Sequence, residues 1–168
     1  MSLFEPIFEA LARDQARFVV VGGVAVVLHG FARLTADLDL ALELEPAEAR
    51  RALDALTRIG LRPRLPVEAH EFADPAIRSR WSREKGLRVF SLLDPANPML
   101  LVDLFAENPI PFDDLWTRSE LVRLDTTDVR VASIADLIEP KRRAGSPQER
   151  IDIEALEAIQ ERKRSGRG

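Results

Sequence analysis

The residues of this chain whose types and spacing could do chemistry are three aspartates and a pair of glycines. Asp37 and Asp39 stand in ADLDLAL, Asp103 in MLLVDLF, and Gly22-Gly23 directly after RFVVV. Side chains two apart on a strand leave the same face with Cα atoms roughly 6.7 Å apart, so the carboxylates of Asp37 and Asp39 can converge on one cation. A third carboxylate on a neighbouring strand, Asp103, would complete the cluster. Three like charges at close range repel, and a divalent ion relieves that repulsion. Hard oxygen ligands suit Mg²⁺ or Mn²⁺, which keep open positions for phosphate oxygens and water. Two such ions roughly 3.5–4 Å apart can activate an attacking oxygen and stabilise a leaving one, as phosphoryl transfer requires. The metal reading therefore assigns Asp37, Asp39 and Asp103 as ligands. Glycines at a strand-to-helix turn would let a triphosphate approach the backbone, and the amides of the helix start favour negative charge. Gly22-Gly23 is part of neither GxGxxG nor a Walker A loop, since no GK[ST] follows. A plain competitor remains: acids alternating on an exposed strand for solubility, and a glycine pair that merely turns the chain.

The elements that must position these residues are legible from periodicity. Leu3, Phe4, Ile7, Phe8 and Leu11 recur at helical spacing, predicting a helix that ends near Asp14. Residues 17–21 read as a buried strand stopped by the glycines. A short helix follows over 24–29, closed by Gly30, and a second strand over 36–42, with Leu38, Leu40 and Leu42 facing one way and Asp37, Asp39 and Ala41 the other. Residues 46–59 predict a surface helix with Pro46 in its first turn and Gly60 at its end. Residues 61–85 show no clear period and are expected to be irregular. Strands over 87–93 and 99–105 flank the turn formers DPANP, which predicts an antiparallel hairpin with Asp103 in its second arm. A short pair over 121–124 and 129–131 surrounds DTTD. Ser133 is expected to cap a helix through Leu137 and Ile138, with Asp136 completing a variant capping box. Gly145, Ser146 and Pro147 break the chain before a helix over 148–162 with Ile151, Leu156 and Ile159 on its inner side, and RKRSGRG is expected to fray. His29 is expected to pack or cap rather than to ligate.

Composition narrows the class. A chain of 168 residues, 46% apolar and 31% charged, fits one globular α/β (α+β) unit: a mixed sheet flanked by helices over about 15–132, and a small helical C-terminus over about 133–164. The absence of cysteine excludes disulfides, thiolate metal sites and cysteine nucleophiles. A net charge of -4 gives no global attraction to nucleic acid, so an RNA partner would need a local basic patch. Arg78, Arg80, Arg83, Arg88 and Lys85 with Trp81 could supply one, although a solvated surface segment explains the same residues. The start MSLFEPIFEALARD has no basic stretch of the signal-peptide kind, no apolar run approaches the length of a membrane span, and a cytoplasmic protein is expected.

The glycine pair, then Gly30, Arg33, Thr35, the DxD of Asp37 and Asp39 and a later strand aspartate together resemble the polymerase-beta-like nucleotidyltransferase superfamily. Within it the chain is most similar to AbiEii-type nucleotidyltransferase toxins and related small bacterial proteins. VASIADLIEPKRRAGSPQERIDIEAL resembles their C-terminal pattern of a lysine after a short helix, a turn and an aspartate-bearing helix, supplying Lys141, Gly145, Pro147, Glu149 and Asp152, with Ser146 where arginine is common. The resemblance implies the nucleotidyltransferase fold and transfer of a nucleoside monophosphate from an NTP to an acceptor hydroxyl on RNA, protein or a small molecule. It also implies a possible cognate antitoxin. By that likeness Gly22, Gly23, Arg33 and Thr35 would serve the phosphates, Asp37 and Asp39 would bind Mg²⁺ or Mn²⁺, and Asp103 would be a ligand or general base. Lys141 would meet the triphosphate, and Asp152 would help to place it or the base. Lys141 could equally belong to a solvated KRR helix end, and Asp152 to an exposed helix face. Two other functions share the motif: a glycosyltransferase using DxD to hold a sugar nucleotide, and a non-catalytic, antitoxin-like binding protein of the same fold.

Overall fold

The computed structural model describes residues 3–166. Helix α1 (Glu5–Arg13) leads to β1 (Phe18–Val21), α2 (Gly22–Leu28), β2 (Asp37–Leu42) and α3 (Pro46–Arg58). Then come β3 (Arg62–Pro63), a 3-10 turn (Ala69–Ala73), α4 (Pro75–Lys85), β4 (Val89–Asp94) and β5 (Asn97–Phe105). Helix α5 (Phe112–Arg118), β6 (Glu120–Arg123), β7 (Asp128–Val131), α6 (Ile134–Ala144) and α7 (Pro147–Arg164) complete the chain. The strands form one mixed sheet in the order β3-β4-β5-β2-β1-β7-β6. β2 runs antiparallel to β1 and parallel to β5, and β4 is the antiparallel hairpin partner of β5. No described helix is long and apolar enough to cross a membrane.

Alternation on the strands decides which face is core. Leu38, Leu40 and Leu42 of β2, Phe90 and Leu92 of β4, and Val102 and Leu104 of β5 are wholly buried. Their strand neighbours Asp39, Ser91, Leu93, Leu101 and Asp103 are only half-buried, and Asp37 is exposed. β1 is buried on both sides, as its unbroken FVVV requires.

Several expectations need correction. The short helix after β1 begins two residues earlier than its expected bounds: α2 starts at Gly22, whose φ of +65° is one that glycine adopts without strain. Residues 61–74 hold only short elements, as expected, but 75–85 form a regular helix. Asp74 caps α4 through the amides of Ala76 and Ile77, Pro75 occupies the first turn and Gly86 closes it in the left-handed conformation. The helix escapes a periodicity argument because its buried residues are Arg78 and Trp81. Arg78 donates to the carbonyls of Phe72 and Leu44 and lies over the Phe72 ring, while Trp81 and Phe72 both stack on Phe90. With Arg78 and Trp81 inside, only Arg80, Arg83, Lys85 and Arg88 of the basic segment face solvent. Helix α5 falls in a stretch without an expectation; its Phe112 and Leu115 are buried, and Trp116 sits against Arg17 and Arg130.

The C-terminal helices also depart in detail. Ser133 accepts from the Asp136 amide, but the Asp136 carboxylate turns to Arg118 instead of closing the box. A complete capping box forms at the next helix, Ser146 with Glu149. Ile151 is not on the inner side of α7: it is half-exposed, and the buried residues are Asp152, Leu156 and Ile159. Helix α7 continues through Arg164 rather than fraying at Arg162; residues 1–2 and 167–168 of the expected termini lie outside the described residues.

Candidate active site

The site is built on one row across the sheet. In the parallel pairing of β2 with β5, Asp39 stands directly opposite Asp103; on its other side Asp39 faces Val21, and Asp103 faces Ser91 of β4. Asp37 lies two residues earlier on β2, opposite Leu101. The three acids therefore share one face of two adjacent strands, although among the described residues no three acidic or histidine side chains already stand at metal-ligating spacing. Asp37 is the outlying member, exposed to solvent, while Asp39 and Asp103 are half-buried.

Asp39 carries the electrostatic signature of the group. Its carboxyl is raised from 3.8 to about 7, by burial first and then by the charges of Asp103 and Asp37, against the opposing pull of Lys141 and the Gly23 amide. An acid held partly protonated by its own neighbours is a strong acceptor for added positive charge. The Ser91 hydroxyl donates to Asp103 Oδ1 at 2.5 Å from the side away from Asp39.

The glycines are required by this row. A Cβ on Gly22 would overlap the Asp39 carboxylate, and one on Gly23 would come within 2.8 Å of Thr35 Oγ1. Thr35 and Arg33 thus pack over the start of α2, where side-chain-free backbone lies against the acids. A cavity of about 280 Å³ opens beside them, its lining including Gly22, Asp39 and Lys141 together with the apolar Phe105, Ile110 and Leu137.

Lys141 and Asp152 are joined rather than separately presented. Asp152 is wholly buried, and its Oδ2 accepts from both Arg33 Nη1 at 2.5 Å and Lys141 Nζ at 2.9 Å, while Gln148 donates to Oδ1 at 3.0 Å. One carboxylate between two cations leaves a net positive charge at the edge of the acid row. Asp152 is wholly buried, so the exposed-face reading fails for it. Lys141 is one-tenth exposed and lines the same cavity as Asp39, which sets aside the solvated-end reading. His29 is a capping residue, its Nε2 lying 2.8 Å from the Ala132 carbonyl.

Ser91 and Gln148 contact the acids without having been anticipated. A lone hydroxyl inside the apolar strand LRVFSLL was the available signal for Ser91. Gln148 had none, because its role depends on the phase of α7.

The fold recurs in solved structures. A lincosamide antibiotic adenylyltransferase, LnuA, in its lincomycin-bound form superposes with a TM-score of 0.59 at 16% identity, over 94% of this chain and 95% of that one. ANT(2'')-Ia in complex with adenylyl-2''-tobramycin gives 0.59 at 15% identity, over 99% and 98%. An antigenic nucleotidyltransferase-like protein from Paracoccidioides brasiliensis gives 0.54 at 18% identity, over 90% and 70%. At these identities the likeness establishes the nucleotidyltransferase fold. No curated protein matches in sequence. The family model described as nucleotidyl transferase AbiEii toxin, type IV TA system, matches residues 7–152, which takes in the glycine pair, the acid row, Lys141 and Asp152 and leaves the sugar-nucleotide reading without support. The chain belongs to the AbiEii nucleotidyltransferase toxin family and is a nucleotidyltransferase.

Proposed function

We propose that the protein transfers a nucleoside monophosphate from an NTP to an acceptor hydroxyl, in a reaction that depends on Mg²⁺ or Mn²⁺, and that it is the toxin of a type IV toxin–antitoxin pair with a cognate antitoxin as partner. The observation that carries the metal dependence is the placement of Asp39 opposite Asp103 against the bare Gly22 backbone, with Asp39 raised to about 7. The donor set fits a hard divalent ion: carboxylate oxygens only, in mutual repulsion, beside a backbone niche that a single Cβ would fill. Asp39 and Asp103 would hold the ion, with Asp37 joining from the exposed end. When bound, it would offset the charge of the phosphates and lower the barrier for an incoming oxygen.

The remaining steps belong to the chain itself. Gly22 and Gly23 admit the phosphates to the backbone, with Thr35 and Arg33 beside them. Lys141, held by Asp152, directs positive charge toward the triphosphate, and Asp152 acts through Lys141 and Arg33. Asp103 accepts the proton of the acceptor hydroxyl as the new oxygen–phosphorus bond forms at the α-phosphate and pyrophosphate leaves. The acceptor is an RNA, a protein or a small molecule; the adenylylated tobramycin held by ANT(2'')-Ia supports a hydroxyl as the receiving group.

Incubation with each α-labelled NTP and total RNA, cell protein or aminoglycosides tests this. Label should appear in one acceptor fraction with Mg²⁺ and vanish with chelator or in Asp39→Asn. Transfer that persists in Asp39→Asn, or none from any NTP, would overturn it.

A further inference from the structure

The row that carries the acids has a member that the proposed chemistry does not use. β4, β5 and β2 lie side by side, and their pairing sets Ser91, Asp103 and Asp39 abreast. Ser91 is the only polar side chain of β4 before its final Asp94. Its neighbours on the same face, Val89 and Leu93, are apolar and half-exposed, so solubility of that face does not explain a serine at this one position. Its hydroxyl is not spent on backbone; it donates to Asp103 Oδ1.

The direction of that bond gives it a consequence. Asp39 repels Asp103 from one flank, and free to turn about its χ angles the Asp103 carboxylate would take whichever rotamer best escapes that charge. A donor on the opposite flank removes that freedom. It ties Oδ1 to β4 and leaves Oδ2 as the oxygen free to serve the shared ion or the acceptor proton. A carboxylate that is already oriented loses less entropy on ligation, and partners of this kind typically account for 10–100-fold in metal affinity or activity.

We propose that Ser91 is a positioning residue of the transfer reaction: it fixes the carboxylate of Asp103 for ion binding and proton acceptance without itself touching either substrate. This rests on the metal-dependent reading above.

The test compares Ser91→Ala and Ser91→Thr with the parent and with Asp39→Asn. Threonine keeps the hydroxyl and suits a strand. Mn²⁺ binding without nucleotide is measured by calorimetry, transfer by kcat and by KM for the NTP, and integrity of the fold by thermal unfolding. In Ser91→Ala, Mn²⁺ affinity should weaken by about 10-fold and kcat should fall by about 10–100-fold, with KM for the NTP little changed. The unfolding midpoint should stay near that of the parent, and Ser91→Thr should recover most of both losses. Parent-like Mn²⁺ affinity and kcat in Ser91→Ala would overturn the role of Ser91, as would equal losses in alanine and threonine variants. If Asp39→Asn still loses Mn²⁺ in that case, the metal-dependent reading survives alone. If parent and Asp39→Asn bind Mn²⁺ equally, that reading fails and the role of Ser91 falls with it.

Discussion

At the scale of single residues, the acid row is a place where folding and function pull in opposite directions. Asp39 has an ordinary value of 3.8 and a folded value of about 7. Between those limits the folded chain holds a proton that the unfolded chain has released, so stability falls as pH rises through that window and levels off above it. Without divalent ions, the protein should therefore be less stable at pH 8 than at pH 5 on account of this group, by on the order of a few kcal/mol. An asparagine side chain cannot ionise, so in urea titrations across pH the Asp39→Asn variant should lose that part of the slope and exceed the parent in stability at pH 8. Added Mg²⁺ should raise the melting temperature of the parent more at pH 8 than at pH 5, because an ion that binds only the folded state stabilises it by mass action. Gly22 tells the same story in steric terms. Gly22→Ala must place a Cβ at a φ of +65° and into the Asp39 carboxylate. The backbone term alone costs about 1–3 kcal/mol, and displacement of Asp39 should abolish transfer; chemical denaturation and the labelling assay measure the two effects.

At the scale of elements, the C-terminal helices are tied to the sheet by one buried cluster. Arg33 comes from the loop before β2, Lys141 from α6, and Asp152 and Gln148 from α7. Removing the central acid leaves two largely buried cations facing each other, so Asp152→Ala should destabilise by about 3–5 kcal/mol and lower transfer. Equilibrium unfolding in urea measures the first effect. The KM for the NTP measures the second, since Lys141 and Arg33 would lose their common anchor. Helix α4 shows a different relation between sequence and element. Its caps at Asp74, Pro75 and Gly86 went unread because its inward side is an arginine and a tryptophan, and an apolar stripe was the wrong thing to look for. A long cation can occupy a core position when carbonyls and an aromatic ring receive it, as those of Phe72 and Leu44 do here.

At the scale of the whole molecule, the sheet core and the C-terminal helices share their buried surface. Leu137 and Ile138 of α6 and Leu156 and Ile159 of α7 belong to the same cluster as Val20, Val24 and Leu40. The chain should accordingly unfold in one transition, with coincident midpoints by circular dichroism and by tryptophan fluorescence. A chain ending at Ala132 would uncover that shared surface and lose Lys141 and Asp152 together. It should show a broadened, lower transition and no NTP-dependent stabilisation; a sharp transition with nucleotide binding intact would mean that the two parts are independent.

The sequence by itself determined what local spacing can encode. The period of two in ADLDLAL put Asp37 and Asp39 on one face, the turn formers of DPANP made the hairpin, and the glycine pair marked the place where side chains must be absent. Only the tertiary structure decided which residues meet. That Asp39 stands against Asp103, and Asp103 against Ser91, follows from strand order and register, which are fixed by packing between distant segments rather than by any one of them. The phase of α7 was misjudged for a related reason: apolar spacing put Ile151 inside with Leu156 and Ile159, whereas Ile151 is half-exposed and Asp152 is buried in its place. The turn that prevails puts Asp152 inside because Arg33 and Lys141, separated from it by 119 and 11 residues, are there to receive its charge. Periodicity reports which residues avoid water, but a buried charge is chosen by its partners, and those are known only once the chain has folded.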